Sequence, residues 1–451
     1  MTGPRYQQIV ESLAGDIAAG RLVPGERLPT QRDLADALGV SLGTVTRAYT
    51  EAHRRGLIAG EVGRGTFVLD AERRATGWGL AAAADHRLID LSLLEPPRAG
   101  PTGIASALAA TLAEVAGAND FADQLEYQPH PGMLRHRAAG AAWVEGSGLA
   151  CGPEEVLVCA SGQHALAVAL TTVVRPGEVV FTESLTSPGI KDLAAWAQIR
   201  LHGLPTDRDG LIPAAFDAAS RVGVARTLYT MPTLHNPTAI TTPDSRRREI
   251  AAIAAAHHVT IIEDGVNDRL ADAPPPLASY AADRAFYLTS LSKVIAPGVR
   301  IGYLRPPPSA TGRAIEALRA TMWMAPPLMG EIAARWIGDG TAERLLELRR
   351  AEARARQEAA AAALGAYEYR ADGYHVWLEL PVGWRSEAFA ERAKRRGVSV
   401  TASEVFVAGR GHPPAAVRLC LSGAEDMAQL EQGLGILLEL LQDPPSGAVA
   451  V

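Results

Sequence analysis

The stretch that decides the fold is SLSKVIAPGVRIGY, residues 290–303. Lys293 comes directly after AFYLTSLS, a run that reads as a buried strand, and is succeeded by Val294, Ile295, Ala296 and Pro297. Apolar surroundings push an amine toward its neutral form, the form that condenses with an aldehyde. Only three of the 44 basic residues are lysines, namely Lys191, Lys293 and Lys394, so positive surface charge is supplied almost wholly by arginine. A lysine kept in an apolar run is therefore informative; its alternative reading is a lysine that snorkels to solvent. Arg300, seven residues on, lies close enough through the loop to bind a phosphate of the same ligand.

Outward from this stretch, short β-branched runs alternate with alanine-rich helical ones. EVLVCAS precedes HALAVALTTVV, EVVFTES precedes a helix through Trp196, and ARTLYTMP precedes RRREIAAIAAAHH; VTIIED and AFYLTSLS follow. The alternation predicts an α/β fold with a largely parallel sheet whose functional groups gather at the carboxyl ends of the strands. Ser161-Gly162-Gln163 opens a helix after one strand and offers free backbone N–H groups to a phosphate. His235-Asn236-Pro237-Thr238 follows another, where Asn236 either donates to a ring oxygen or simply makes a turn. Glu263-Asp264 ends a third, either capping the next segment or pairing a cationic ligand nitrogen.

The amino-terminal 69 residues have a different pattern. Ile9, Leu13 and Ile17 predict a helix from Arg5, Thr30 with Asp33 a capping box for a helix over residues 31–38 ending at Gly39, and Ser41 a cap for a helix over residues 42–55. That third helix buries Val45, Ala48 and Tyr49 and exposes Thr44, Thr46, Arg47 and Glu51. LIAGEVGRGTFVL then reads as a hairpin about Gly63-Arg64-Gly65. Helix, helix, turn, helix, hairpin is an α+β winged helix-turn-helix. Its third helix carries short polar side chains and one arginine in the turns that reach base edges, with Arg32 and Arg64 flanking against phosphates, so double-stranded DNA is the expected partner. A helical packing module is the plainer alternative.

Residues 70–88 lack a sustained period and read as a linker. The rest, 89–445, is the larger domain, with a small subdomain from about 325 to 445. A chain of 451 residues, 47% hydrophobic and 21% charged, is ordinary globular composition. Its net charge of −6 confines any attraction for DNA to one face of one domain. No apolar run approaches the ~18 residues of a membrane span and no signal-peptide core follows Met1, which predicts a cytoplasmic protein with no membrane partner. Cys151, Cys159 and Cys420 show no metal-ligand spacing and predict buried, reduced thiols and no metal.

LPTQRDLADALGVSLGTVTRAYTEAHRRGLIAGEVGRGTFV resembles the GntR-type DNA-binding domain nearly end to end; the resemblance places Arg32, Ser41, Thr44, Thr46, Arg47 and Gly65 at the DNA. Tyr127 with Gly132, Leu134 and Arg135, then Ser161-Gly162, Asn236-Pro237-Thr238, Asp264 and Ser290 through Arg300 resemble fold-type I aminotransferases over about Ile89 to Leu441. Together the two halves resemble the MocR/GabR subfamily of GntR regulators. The resemblance implies pyridoxal 5′-phosphate in aldimine linkage to Lys293, Asp264 on its pyridinium nitrogen and Asn236 on its ring hydroxyl. It further implies Ser161, Gly162, Gln163, Ser290 and Arg300 on the phosphate, Tyr127 from a neighbouring subunit of a homodimer, and Arg418 on an effector carboxylate. Two positions depart from the pattern: Ser187 stands where an aromatic usually stacks on the cofactor ring, and Asn267 where a tyrosine usually bonds the ring hydroxyl. The expected function is a regulator that senses a small amino compound by transaldimination and binds an operator. A working aminotransferase with a DNA-binding tag and a cofactor-free regulator using the larger fold as a dimerisation scaffold are the rivals.

Overall fold

The computed structural model describes residues 4–18, 21–22, 26–54, 57–61, 65–68, 88–97, 103–365, 373–409 and 411–443. The chain divides into two compact units, Met1–Asp85 and His86–Val451. In the first, α1 (Arg5–Ala18), α2 (Gln31–Leu38) and α3 (Leu42–Arg54) precede the hairpin β1 (Ile58–Glu61) and β2 (Gly65–Val68). The core of this unit is Ile9, Val10, Leu13, Leu28, Ala35, Val45, Ala48, Tyr49, Ala52, Ile58 and Val68. Thr30 caps α2 by accepting from the Asp33 N–H at 3.3 Å, while the Asp33 carboxylate accepts from the Thr30 hydroxyl at 2.7 Å. The box thus closes through two side chains, not on the Thr30 backbone. Gly39 ends the helix at φ 60°, a left-handed turn that glycine enters without strain. The hairpin pairs Ile58 with Val68 and Glu61 with Gly65.

The second unit opens with β3 (Ile89–Asp90) and centres on a seven-stranded sheet. Its members are β4 (Leu157–Cys159), β5 (Val179–Glu183), β6 (Arg200–Leu204), β9 (Thr227–Thr230), β10 (Thr260–Asp264), β11 (Ala285–Ser290) and β12 (Gly302–Arg305); β7 (Thr206–Asp207) and β8 (Gly210–Leu211) form a separate small ribbon. The order is β4-β12-β11-β10-β9-β5-β6, parallel except for β12, which runs antiparallel to both neighbours. Strands β9 and β11 are buried at every position, as central strands covered on both faces are, their threonine and serine side chains included. β12 and β6 are strands the sequence reading left unassigned. β12 is short and lies within what reads as loop after Lys293, and β6 is an edge strand whose exposure alternates.

A third layer contains β13 (His375–Glu379), β15 (Thr401–Ala402) and β16 (Ala416–Cys420), with β16 between the other two, and β14 (Val398–Ser399) pairs in parallel with β3. Its core joins Ile89 and Leu91 to residues from Ala360 onward, so its apolar packing begins before the large sheet in sequence and resumes well after residue 325. The helix Thr341–Leu364 spans both cores, with Leu345, Leu346 and Ala353 in one and Ala360 in the other. Cys159 and Cys420 are buried and Cys151 is half-buried; all three are free. Among the described residues no helix is long and apolar enough to cross a membrane.

Gly302 in β12 faces the turn after β4, where an added Cβ would sit 2.5 Å from the Ser161 carbonyl carbon and 2.8 Å from the Gly162 nitrogen. These are backbone atoms and no side chain can move aside. Gly302→Ala should therefore cost about 1–3 kcal/mol in urea unfolding of the larger unit. Unchanged stability would show that the strand and the turn are not in this close contact.

Candidate functional site

Parallel pairing places the carboxyl ends of β5, β9, β10 and β11 along one edge, with Asp264 opposite Leu288 in register, and β4, antiparallel to β12, points the same way. Ser161 caps the helix Gly162–Val173, its Oγ accepting from the His164 N–H at 3.0 Å. Gly162 lies where a Cβ would come within 2.8 Å of Val266 Cγ1 and 3.4 Å of Ser290 Cβ, so the turn after β4 abuts the loop after β10 and the end of β11. Ser290 donates to the Ile301 carbonyl at 3.0 Å and accepts from the Ser292 N–H at 3.0 Å, which ties the start of the Lys293 turn to the end of its loop. Gln163 is exposed and donates to the Gly189 carbonyl at 2.9 Å. Arg300 adopts φ 41° and is exposed, with no hydrogen bond or ion pair among the described residues. Tyr127 is 82% exposed beside Trp323, their ring centroids 6.1 Å apart.

Deeper in the site, Lys293 lies in the one-turn helix Leu291–Val294 and donates to the Leu94 carbonyl. Burial, and then the charge of Arg418, hold its amine below the ordinary lysine range. Asp264 accepts from the Tyr229 hydroxyl at 2.8 Å and the Val266 N–H at 3.3 Å, and makes no ion pair with Lys293. Arg418, on the central strand of its three-stranded sheet, donates Nη1 to Asn236 Oδ1 at 2.7 Å and Nη2 to the Ser92 carbonyl at 2.6 Å, while its buried Nε has no partner. Lys293, Asp264, Asn236 and Arg418 are thus brought together; Gln163, Arg300 and Tyr127 are exposed and share no hydrogen bond with them among the described residues.

The two departures from the expected pattern take up specific bonds. Ser187 is buried with its Oγ 3.0 Å from the Tyr229 hydroxyl, extending the Tyr229–Asp264 pair by one member. Asn267 donates to the Leu234 carbonyl at 3.1 Å and so ties its loop to the segment before Asn236. Sequence reasoning missed Tyr229, because a tyrosine in an apolar strand reads as core. It also missed Arg349 and Arg356 on the long helix. Arg349 donates to the Ile295 carbonyl through two nitrogens at 3.3 Å, Arg356 to the Leu421 and Ala424 carbonyls at 2.7 and 3.1 Å, and Glu352 accepts from both arginines. Their signal was available as buried charge at helical spacing in RRAEARARQE.

In the first unit, Arg32, Ser41, Thr46 and Arg47 are exposed, whereas Thr44 and Glu51, expected to be exposed, are half-buried. Ser41 and Thr44 share a hydrogen bond at 2.9 Å, which draws Thr44 back toward the cap. Thr46 donates to Gln31 Oε1 at 2.8 Å, and the Arg47 guanidinium lies 4.9 Å from the Tyr6 ring centroid. Gly65 begins β2; Arg64 lies outside the described residues, as do residues 70–87 of the expected linker.

Residues 5–68 match the bacterial regulatory proteins, gntR family, and residues 88–437 match aminotransferase class I and II. The chain is 30% identical over 443 residues to the uncharacterized HTH-type transcriptional regulator YdeF of Bacillus subtilis, covering 98% of this chain and 95% of that one. It is 30% identical over 332 residues to the HTH-type pyridoxine biosynthesis transcriptional regulator PdxR of Corynebacterium glutamicum, covering 70% and 68%. An archaeal alanine:glyoxylate aminotransferase superposes with a TM-score of 0.74 at 23% identity over 88% of this chain and 99% of its own, a likeness of fold. A gntR-type reader joined to an aminotransferase-type sheet defines the class. The chain belongs to the HTH-type transcriptional regulators of MocR-type architecture, in which a GntR domain is fused to an aminotransferase class I/II domain.

Burial pushes Asp264 up to about 6, with the charge of Asp268 adding to it and the Tyr229 and Val266 bonds opposing. The folded state therefore binds more protons than the unfolded between about pH 4 and 6, so this carboxyl's contribution to stability falls as pH rises through that window and remains lost above it. In cofactor-free protein, Asp264→Asn should be more stable than the parent by on the order of 1–3 kcal/mol at about pH 8, with the gain shrinking below about pH 5. An equal gain at both pH values in urea unfolding would contradict the account.

Proposed function

We propose that this DNA-binding regulator holds pyridoxal 5′-phosphate at Lys293 and uses it to sense a small amino compound that carries a carboxylate. The observation that carries the reading is the arrangement of three buried or half-buried groups: an amine held toward neutrality, a carboxylate with no cation bonded to it, and a guanidinium with an unpartnered Nε. A buried carboxylate without a cation is costly unless a ligand supplies one, and a protonated pyridine nitrogen would do so at Asp264. The bare turn Ser161-Gly162 at a helix amino terminus suits the phosphate, with Gln163, Ser290 and Arg300 around it. Asn236 keeps its amide N–H group for the ring hydroxyl while its Oδ1 accepts from Arg418. When bound, the cofactor supplies an aldehyde that exchanges amines reversibly.

Lys293 holds the cofactor, Asp264 fixes its ring charge, and Arg418 receives the carboxylate of the incoming compound. Ser187 bonds Tyr229 and brings no aromatic face to the ring, so rigid ring orientation, which turnover needs, is the weaker part of the site. This favours sensing over transamination. Leu125, Tyr127, Leu134 and Trp323 are large exposed apolar side chains, and a second copy of the chain would cover them and bring Tyr127 to its neighbour's phosphate. In the reader, Arg47 and Thr46 would meet base edges and Arg32 a phosphate, with Ser41, Thr44, Arg64 and Gly65 along the same contact.

Borohydride reduction of the reconstituted protein should fix the cofactor to Lys293, and Lys293→Ala should carry no fixed label; a label retained in the variant overturns the cofactor assignment. Amino acids should alter the visible spectrum while keto-acid release stays below one turnover per site, and sustained turnover would favour the aminotransferase reading. Arg47→Ala should weaken binding to a selected duplex by about 1–3 kcal/mol and relax preference at one base pair, whereas Arg32→Ala should weaken all sequences alike.

A further inference from the structure

The first described segment after the linker, Ile89–Leu94, is held across the site by its own carbonyl oxygens. Leu91 donates to the Ser399 carbonyl at 2.8 Å, and its own carbonyl accepts from the Cys420 N–H at 2.7 Å. Ser92 folds back through its N–H and hydroxyl to Asp90 Oδ1 at 2.8 and 2.6 Å. Its carbonyl oxygen then meets three donors: Arg418 Nη2 at 2.6 Å, Thr401 Oγ1 at 2.9 Å and Cys420 Sγ at 3.5 Å. Two residues later, the Leu94 carbonyl accepts from Lys293.

A guanidinium, a hydroxyl and a thiol around one oxygen form a donor set richer than a neutral peptide carbonyl needs. Hydrogen bonds to an ionised acceptor are roughly twice as strong as those between neutral groups, and arginine binds carboxylates through two nitrogens. Arg418 has its Nε unpartnered and available for the second of those bonds. A carboxylate is therefore the better acceptor for the same donors, and it competes with Ser92 for them.

We propose that Ser92–Leu94 is a strap whose Ser92 carbonyl occupies the place on Arg418 and Thr401 that an effector carboxylate takes. A carboxylate-bearing amino compound displaces the strap, while an amine lacking the carboxylate leaves it in place. The inference deepens the sensing reading above and rests on it. Release loosens the residues next to β3, the strand that follows the linker and stays paired with β14, so occupancy of the site bears on the segment through which the linker is anchored. Thr401 holds the strap before the carboxylate arrives and donates to the carboxylate afterwards, and it touches no reacting atom.

The test is hydrogen–deuterium exchange of residues 88–97 in full-length protein loaded with cofactor, using L-alanine, ethylamine and propionate as matched probes. L-Alanine should speed exchange there by about tenfold, the effect of losing a hydrogen bond of ordinary net strength, whereas ethylamine should change the cofactor spectrum and leave the segment protected. Thr401→Val should speed exchange without any probe and shift affinity for a selected duplex in the direction L-alanine does, and Thr401→Ser should restore both. If neither amine changes the spectrum, the sensing reading fails, and the Thr401 variants still decide the strap. A spectral response to L-alanine with unchanged exchange at 88–97, or unchanged exchange in Thr401→Val, overturns the proposal.

Discussion

The larger unit is organised around a buried carboxylate and a half-buried amine that make no ion pair with each other. Taking either group out of water is costly, and pairing them would be the direct remedy. Each is bonded elsewhere instead. Asp264 ends β10 and is turned to Tyr229 and the Val266 N–H, while Lys293 lies beyond the end of β11 in a turn closed by Ser290 and directs its amine to Leu94. Both strands are pinned by burial and by register. What results is an amine and a carboxylate bonded to neutral partners and not to each other.

The same constraint links the layers of this unit. Arg418 belongs to the small sheet but bonds Asn236 of the large one and Ser92 of the segment leaving the linker. Glu352 joins Arg349, which grips the carbonyl two residues after Lys293, to Arg356, which grips two carbonyls after β16. A shift of the small layer therefore acts on the lysine loop through one helix and on the strap through one guanidinium. Coupling of this kind requires bonded elements with alternative partners, and the proposed effector carboxylate would give Arg418 one.

Much of this was legible in the sequence, for identifiable reasons. Lys293 stood out because arginine meets nearly every other need for positive charge, and Ser161-Gly162 and Asp264 followed from their places at strand ends. The reader was legible because caps and turns are local: Thr30, Gly39 and Ser41 mark helix ends whatever surrounds them. The strap was not. Ser92 and Leu94 act through backbone carbonyls, which carry no side-chain signal, and their partners lie about two hundred or more residues away. Tyr229 was hidden for a similar reason, since only the fold shows its hydroxyl meeting Asp264. The antiparallel β12 was concealed by its shortness and by a Gly302 whose purpose, close approach to the Ser161 backbone, is a tertiary fact.

The central claim is that occupancy of the Lys293–Arg418 site and DNA binding are coupled in one molecule. Linkage makes any such coupling reciprocal: if an amino compound changes operator affinity by some factor, the operator changes affinity for that compound by the same factor. The direct measurement is a titration of the compound followed by cofactor absorbance, with and without saturating operator duplex. The account predicts that the midpoint moves by the factor independently measured for the duplex. A midpoint indifferent to DNA, in a protein that binds both ligands, would contradict it.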